Sequence, residues 1–197
     1  MADRTSPNKF DARREATHRQ LLALGLERFP KHGFATTSID DLLRGSGQSK
    51  GGFYYHFGSK EEFYVAVLAY RNEIEREWWR AFDGDFASLD ELMTVAVAGL
   101  DPVTNVPDAI IHGQFRDAAA NRPELLAEGN RLFTERRQTL SHFFALFDDQ
   151  GWFRTDVQAE ELNRRVFAVI DGFYLSHHLL GTPIDGLTDA LVRLLRP

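Results

Sequence analysis

Between residues 35 and 63 the apolar positions fall into short periodic groups separated by glycine. Ile39, Leu42 and Leu43 sit at i, i+3 and i+4, one stripe of a short helix. Thr37 or Ser38 stands before the stripe, Asp40 and Asp41 fall in its first turn, and Gly45 and Gly47 follow it. Hydroxyl caps, early carboxylates and a closing glycine are the signals of helix ends. Phe53 and Phe57 at i and i+4 give a second short helix an apolar side, with Ser49 as its cap. Gly58 ends it, and Ser59 opens a third helix with Glu61 and Glu62 in its first turn. The second short helix is rich in poor helix formers, Gly51 and Gly52, and in phosphate-bonding groups. Its pattern predicts a recognition helix in a helix-turn-helix; a plain helical corner with a polar face satisfies the same periodicity.

The rest of the chain repeats every three or four residues. A helix over 11–31 carries Ala16, Leu22, Leu26 and Phe29 on one face, with Leu21 and Leu24 beside it. Pro30 removes the backbone bond to the Leu26 carbonyl, which predicts a kinked or shortened last turn. A long helix over 60–82 presents Phe63, Val67, Tyr70, Ile74 and Trp78. Further helices are predicted over 88–100, 107–121, 123–149, 158–180 and 184–195. There is no strand pattern and no internal repeat. The fold class is all-α with about nine helices. Residues 1–59 form a three-helix head, of which 1–10 are a flexible arm, and residues 60–197 form a helical body entered by the fourth helix.

Charge sharpens this division. The chain carries a net −6, which alone argues against nucleic acid. Residues 1–60, however, hold 10 Lys+Arg against 6 Asp+Glu, and residues 61–197 hold 13 against 23. A positive head and a negative body are expected when one end meets phosphates and the other stays clear of them. Hydrophobic content of 43% and charged content of 26% are those of a soluble globular chain. With no cysteine there is no disulfide frame and no thiolate site. No apolar run is long enough to span a membrane, and the first residues lack the apolar core of a secretory signal, so a cytoplasmic protein is expected.

The motifs in the head go beyond periodicity. Phe29, Gly33-Phe34, Thr36-Thr37, Tyr54-Tyr55-His56-Phe57 and Ser59-Lys60-Glu61 follow one another at fixed spacing. This run, from Leu21 to Phe63, resembles the DNA-binding signature of the tetracycline-repressor (TetR) family. The resemblance implies that Lys50, Gly51, Tyr54, Tyr55 and His56 face double-stranded DNA. It also implies that Thr37 and Lys60 lie on phosphates, that Gln48 and Ser49 reach base edges, and that Arg44 is a further backbone contact. It implies a ligand-responsive regulator, most readily a repressor, acting as a homodimer on a palindromic operator.

The body carries no catalytic constellation. There is no phosphate loop and no zinc motif, so no metal and no cofactor are expected. His177 and His178 are helix neighbours pointing about 100° apart, unsuited to one ion. His112 and Arg116 at i and i+4 can grip a carboxylate or make a structural hydrogen bond. The aromatic load suggests a pocket for an apolar or aromatic effector among Trp78, Trp79, Phe82, His112, Phe115, Arg116, Phe133, Phe144 and Tyr174. In this reading the ligand sits between the fourth and seventh helices and tilts the fourth. The last two helices have more apolar surface than one neighbour needs. Val166, Ile170, Phe173, His177, Leu187 and Leu191 are the expected dimer interface. The rival readings are a constitutive DNA-binding regulator and a helical enzyme; the first differs by lacking ligand-dependent release, the second by needing a reactive set that the sequence does not offer.

Overall fold

The computed structural model describes residues 9–80, 86–98, 106–145 and 147–197, with side chains at all of these except 9, 10, 78–80, 139–145 and 148. The described residues form nine α-helices and no strand: α1 Lys9–His32, α2 Ile39–Leu43, α3 Lys50–His56, α4 Lys60–Arg80, α5 Leu89–Ala98, α6 Asp108–Ala118, α7 Pro123–Ala145, α8 Ala159–Leu180 and α9 Leu187–Leu195. A short 3-10 turn at Asp148–Gln150 precedes α8.

Two apolar clusters hold these helices. The first joins Leu21, Leu22 and Phe29 of α1 to Phe34, to Leu42 of α2 and Phe53 of α3, and then to Phe63, Tyr64 and Val67 of α4. It continues into Ile111 and Phe115 of α6 and Leu132 of α7. Gly25 lets α1 close on α4, because a Cβ there would overlap Val67 and Phe63. The second cluster joins α5, α8 and α9 through Leu92, Met93, Val166, Leu187, Leu191 and Leu195.

Three expectations about these elements change. Pro30 lies inside α1, yet the helix runs on to His32 and closes with Gly33 N–H donating to the Phe29 carbonyl at 2.7 Å. The Pro30 carbonyl takes its own donor from Val106 N–H at 2.6 Å, so the last turn is held from the body. Ala16 is exposed, and the buried face of α1 begins only at Leu21. On α4 the buried stripe is Phe63, Tyr64, Val67, Leu68 and Asn72, while Ile74 is 41% exposed. The stripe turns away from Ile74 because Asn72 faces α7 and donates to the Leu132 carbonyl at 2.9 Å. The expected arm at 1–10, for all but the backbone of its last two residues, and the side chains of Trp78, Trp79, Phe82 and Phe144 lie outside the described residues.

Charge also crosses the body. Arg71 of α4 donates to Asp108 at 2.7 Å and to Glu75 at 3.1 Å. Arg136 of α7 bonds Glu75 at 2.9 and 3.0 Å and pairs with the other oxygen of Asp108. Burial alone would raise the Asp108 carboxyl, but Arg136 and Arg71 outweigh it and hold it well below the usual carboxylate range. Four alternating charges thus tie α4, α6 and α7 at one level.

Candidate nucleic-acid interface

The head places α3 by local chemistry first. Ser38 caps α2 with a reciprocal box: Asp41 N–H donates to Ser38 Oγ at 3.1 Å, and Ser38 N–H donates to Asp41 Oδ2 at 3.2 Å. Gly45 at φ +75° and Gly47 at φ +74° make the turn, a left-handed conformation that side chains resist. Ser49 then caps α3 by accepting from Gly52 N–H at 3.0 Å. Phe53 is wholly buried, its ring packed edge-on to Phe63 and against Phe57.

That anchor decides what α3 shows to solvent. Lys50, Gly51, Tyr54 and Tyr55 are all exposed, Gly51 and Tyr55 on the side opposite Phe53 and Phe57 and Lys50 and Tyr54 at its flank. Tyr54 is 49% and Tyr55 63% exposed, although each ring meets a neighbour edge-on, Phe53 and His56 respectively. Ser49 is exposed beside them, and Gln48 and His56 are half-buried at the two ends. Lys50 Nζ lies 3.0 Å from Asp40, a hydrogen bond that raises its pKa and keeps it cationic. Both partners are exposed, so the pair is weak and open to exchange for a phosphate. Arg44 is exposed and paired with Asp41. A Cβ on Gly51 would meet nothing within 4 Å, so packing inside the chain does not require glycine there.

Two residues expected on phosphates turn inward instead. Thr37 is 1% exposed, and its hydroxyl donates to the Gly33 carbonyl at 2.6 Å. Lys60 Nζ donates to the carbonyls of Phe34 at 2.9 Å and Thr37 at 3.2 Å and lies over the Phe34 ring. Burial lowers the pKa of this ammonium. The Thr37 side chain closes the loop after α1 on itself, and the Lys60 side chain joins the start of α4 to that loop.

Sequence reasoning missed two α1 residues. Gln48 Nε2 donates to Gln20 Oε1 at 2.8 Å, and the His18 ring stacks on Phe57 with centroids 4.9 Å apart. Both precede the apolar face that opens at Leu21, so only the docking of α1 against α3 brings them to the interface. Polar residues on the turn just before an apolar stripe were the available signal.

In the body, His112 and Arg116 do not act together. His112 is 5% exposed, and its Nε2 lies 3.0 Å from Asn130 Oδ1; Arg116 is exposed. The His112 ring stacks on Phe133 at 4.1 Å, with the planes 2° apart. Burial, opposed by the Asn130 bond, lowers the pKa of this imidazole, so it is neutral at neutral pH with Nε2 as the donor. Its Nδ1 is a buried acceptor without a partner among the described residues. Phe115 is wholly buried between Phe34, Tyr64 and His112, core rather than pocket wall. Tyr174 is half-buried against the second cluster. Of the expected dimer residues, Val166, Leu187 and Leu191 are buried within the chain at 1%, 0% and 2% exposure. They cannot meet a partner, because they hold α8 against α9 and α5. Ile170, Phe173 and His177 are half-buried, and His177 Nδ1 bonds the Thr182 carbonyl at 2.6 Å. The exposed apolar surface of α8 is instead Leu175, Leu179 and Leu180.

Comparison with known proteins places the head first. Residues 21–67 match the model of the bacterial regulatory proteins of the tetR family. The chain is 26% identical over 174 residues to the HTH-type transcriptional repressor AcnR of Corynebacterium efficiens, covering 88% of each chain. It is 32% identical over 81 residues to the HTH-type transcriptional regulator YwcC of Bacillus subtilis, a match spanning 36% of each. Its fold superposes with a TM-score of 0.65 on a protein from Saccharomonospora viridis crystallised in complex with choline, at 21% identity, covering 90% of this chain and 94% of that one.

Proposed function

We propose, from the premise that the chain belongs to the tetR family of bacterial regulatory proteins, that this DNA-binding transcriptional regulator is a ligand-responsive repressor. It acts as a homodimer on a palindromic operator and is released by a small apolar or aromatic molecule. The observation that carries the reading is the face of α3. A buried phenylalanine fixes a glycine-bearing helix whose outer side is a lysine, two tyrosines and bare backbone. Lys50, Tyr54 and Tyr55 offer donors to phosphates, and Gln48 and Ser49 offer groups to base edges from the start of the helix. Arg44 and His56 extend the contact at its two ends.

The remaining parts follow from surfaces that the chain leaves open. A palindrome needs a two-fold, and the exposed leucines of α8 are the apolar surface suited to it. The Nδ1 of His112, which has no partner among the described residues, lies beside the Phe133 ring and supplies an acceptor for an uncharged effector bearing one donor. The choline-bound neighbour supports a small-molecule effector for this fold.

Gly51→Ala tests the central observation, because folding and binding should move in opposite directions. Alanine is the better helix former, so stability should rise by about 0.5–1 kcal/mol. A methyl group on the outer face should hold the backbone off the duplex and weaken binding at least severalfold. Urea unfolding and fluorescence anisotropy on DNA measure the two. Unchanged DNA affinity would remove α3 from the interface.

A further inference from the structure

His18 stands one turn before the buried face of α1, in line with Leu21 and Leu22 at i+3 and i+4, and its ring is half-buried. Its centroid is 4.9 Å from Phe57 and 5.4 Å from His56, the last residue of α3. His56 in turn touches Tyr55, whose ring is set edge-on at 5.2 Å. Two imidazoles, a phenol and a phenylalanine therefore form one aromatic group at the C-terminal end of the recognition helix. Around it, α1 contributes Arg14 and Glu15, and Glu15 is engaged by Arg19.

We propose that His18 is a positioning residue of the DNA interface, which props His56 beneath the phosphate-facing end of α3, and that the pair takes up a proton when DNA binds. This rests on the DNA-binding reading above. The chemistry of the cluster favours it. Two imidazoles this close repel when both are charged, and burial first, then Arg14, adds to the cost for His18. For His56 the order is burial, then His18, then Arg14, while at His18 the Glu15 carboxylate opposes the shift. Both rings are thus held below the usual histidine range in the free protein. A phosphate arriving at His56 supplies the missing negative charge and reverses that balance.

The sign follows from linkage. A group whose pKa is higher in the complex than in the free protein favours binding below its free value. That contribution is lost as pH rises through its bound value. Affinity should therefore rise as pH falls. The test is anisotropy of the full chain on a mixed-sequence duplex of about 30 base pairs at constant ionic strength, from about pH 8 to about pH 5.5. The dissociation constant should fall by up to about tenfold per pH unit for each proton taken up. His56→Gln, which keeps a polar side chain but cannot titrate, should flatten the profile. His18→Ala should move the midpoint upward toward the ordinary histidine value, because it removes both the cover and the neighbouring imidazole that hold His56 down. His18→Phe keeps a ring against Phe57 but removes the neighbouring charge, so it too should move the midpoint upward, and it serves if the alanine variant does not fold. A flat wild-type profile with measurable binding, or a slope surviving in His56→Gln, overturns the proposal. Absence of binding at every pH overturns the DNA-binding reading itself.

Discussion

The two apolar clusters of this molecule are built alike and placed differently. The first starts in the head and does not stop there: Phe34 meets Phe115 of α6 edge-on, and Ile111, Ala119 and Leu132 complete the same core. Polar links follow it across. Ala35 N–H donates to Gln114 Oε1 at 3.0 Å, Val106 N–H to the Pro30 carbonyl, and Arg122 bonds Ser59 and Glu62. Among the described residues, the second cluster lies on α5, α8, α9 and the segment around Phe153. The division at residue 59, which we propose for function, is therefore not a division in packing. The head is fastened to α6 as well as continued by α4, and a shift of α6 reaches it without passing along the connector. The second cluster is left to carry the outer face of α8.

The largest test of this difference sets one core residue against another. Phe115→Ala empties a fully buried site and should cost about 3–5 kcal/mol, and Leu191→Ala in the second cluster about 2–5 kcal/mol. At a temperature where both variants remain folded, only Phe115→Ala should also weaken DNA binding, because only its cluster includes the head. Urea unfolding paired with anisotropy checks this. Equal losses of affinity would show that the clusters do not act separately.

The next test concerns the outer face of α8. Leu179 is 65% exposed, so Leu179→Glu costs the isolated chain nothing in packing. If α8 seats a second copy, the variant should run as a folded monomer on light scattering, with an unaltered circular dichroism spectrum and much weaker operator binding. Leu191→Glu should instead unfold the body, since it buries an unpaired charge. A Leu179→Glu chain that stays dimeric would move the interface elsewhere.

A smaller effect is expected from the charge network that ties the first cluster to α4. Asp108→Asn leaves Arg71 and Arg136 sharing Glu75 and should cost about 2 kcal/mol at neutral pH, the range of hydrogen bonds to charged groups. Because the folded carboxyl is held below its unfolded value, its contribution is present above about pH 4 and is lost as pH falls through the folded value. The gap between variant and wild type should therefore narrow in acid. A gap that is constant with pH would assign the loss to packing.

Much of the head was legible in sequence because its signals are local. The Ser38 and Ser49 caps, the Gly45 and Gly47 turn and the Phe53 anchor each depend on residues within a few positions. What failed depends on distant partners. Periodicity alone put Ile74 on the buried stripe of α4, but Asn72 and its bond to α7 set the rotation of that helix. Apolar surface stays exposed on α8 at Leu175, Leu179 and Leu180, but α9 turns its leucines inward, where α5 covers Leu191 and Leu187, and no spacing along α8 could disclose it. His112 looked like half of a carboxylate grip with Arg116 until Asn130 and Phe133, on another helix, claimed its ring. Lys60 stands in the motif at a position that suits a phosphate, but the folded loop offers it two carbonyls first.

Lys60 also provides the finest test, because it sets head packing against head binding within one motif. Lys50 and Lys60 are both cations of the α3–α4 region, but one is exposed beside a carboxylate and the other faces inward over Phe34. Each phosphate neutralised by a cation contributes about −0.9 to the slope of log affinity against log salt. Lys50→Ala removes one such contact from each protomer and should therefore make the slope of the dimer shallower by about 1.8. Lys60→Met keeps the apolar stem and removes the ammonium, leaving the Phe34 and Thr37 carbonyls without this donor. Its effect should appear as lost stability, about 1–3 kcal/mol, with the slope unchanged. Affinity measured at several salt concentrations separates the two. A shallower slope in Lys60→Met would mean that the ammonium leaves its carbonyls for a phosphate when DNA arrives, and that the start of α4 is rebuilt on binding.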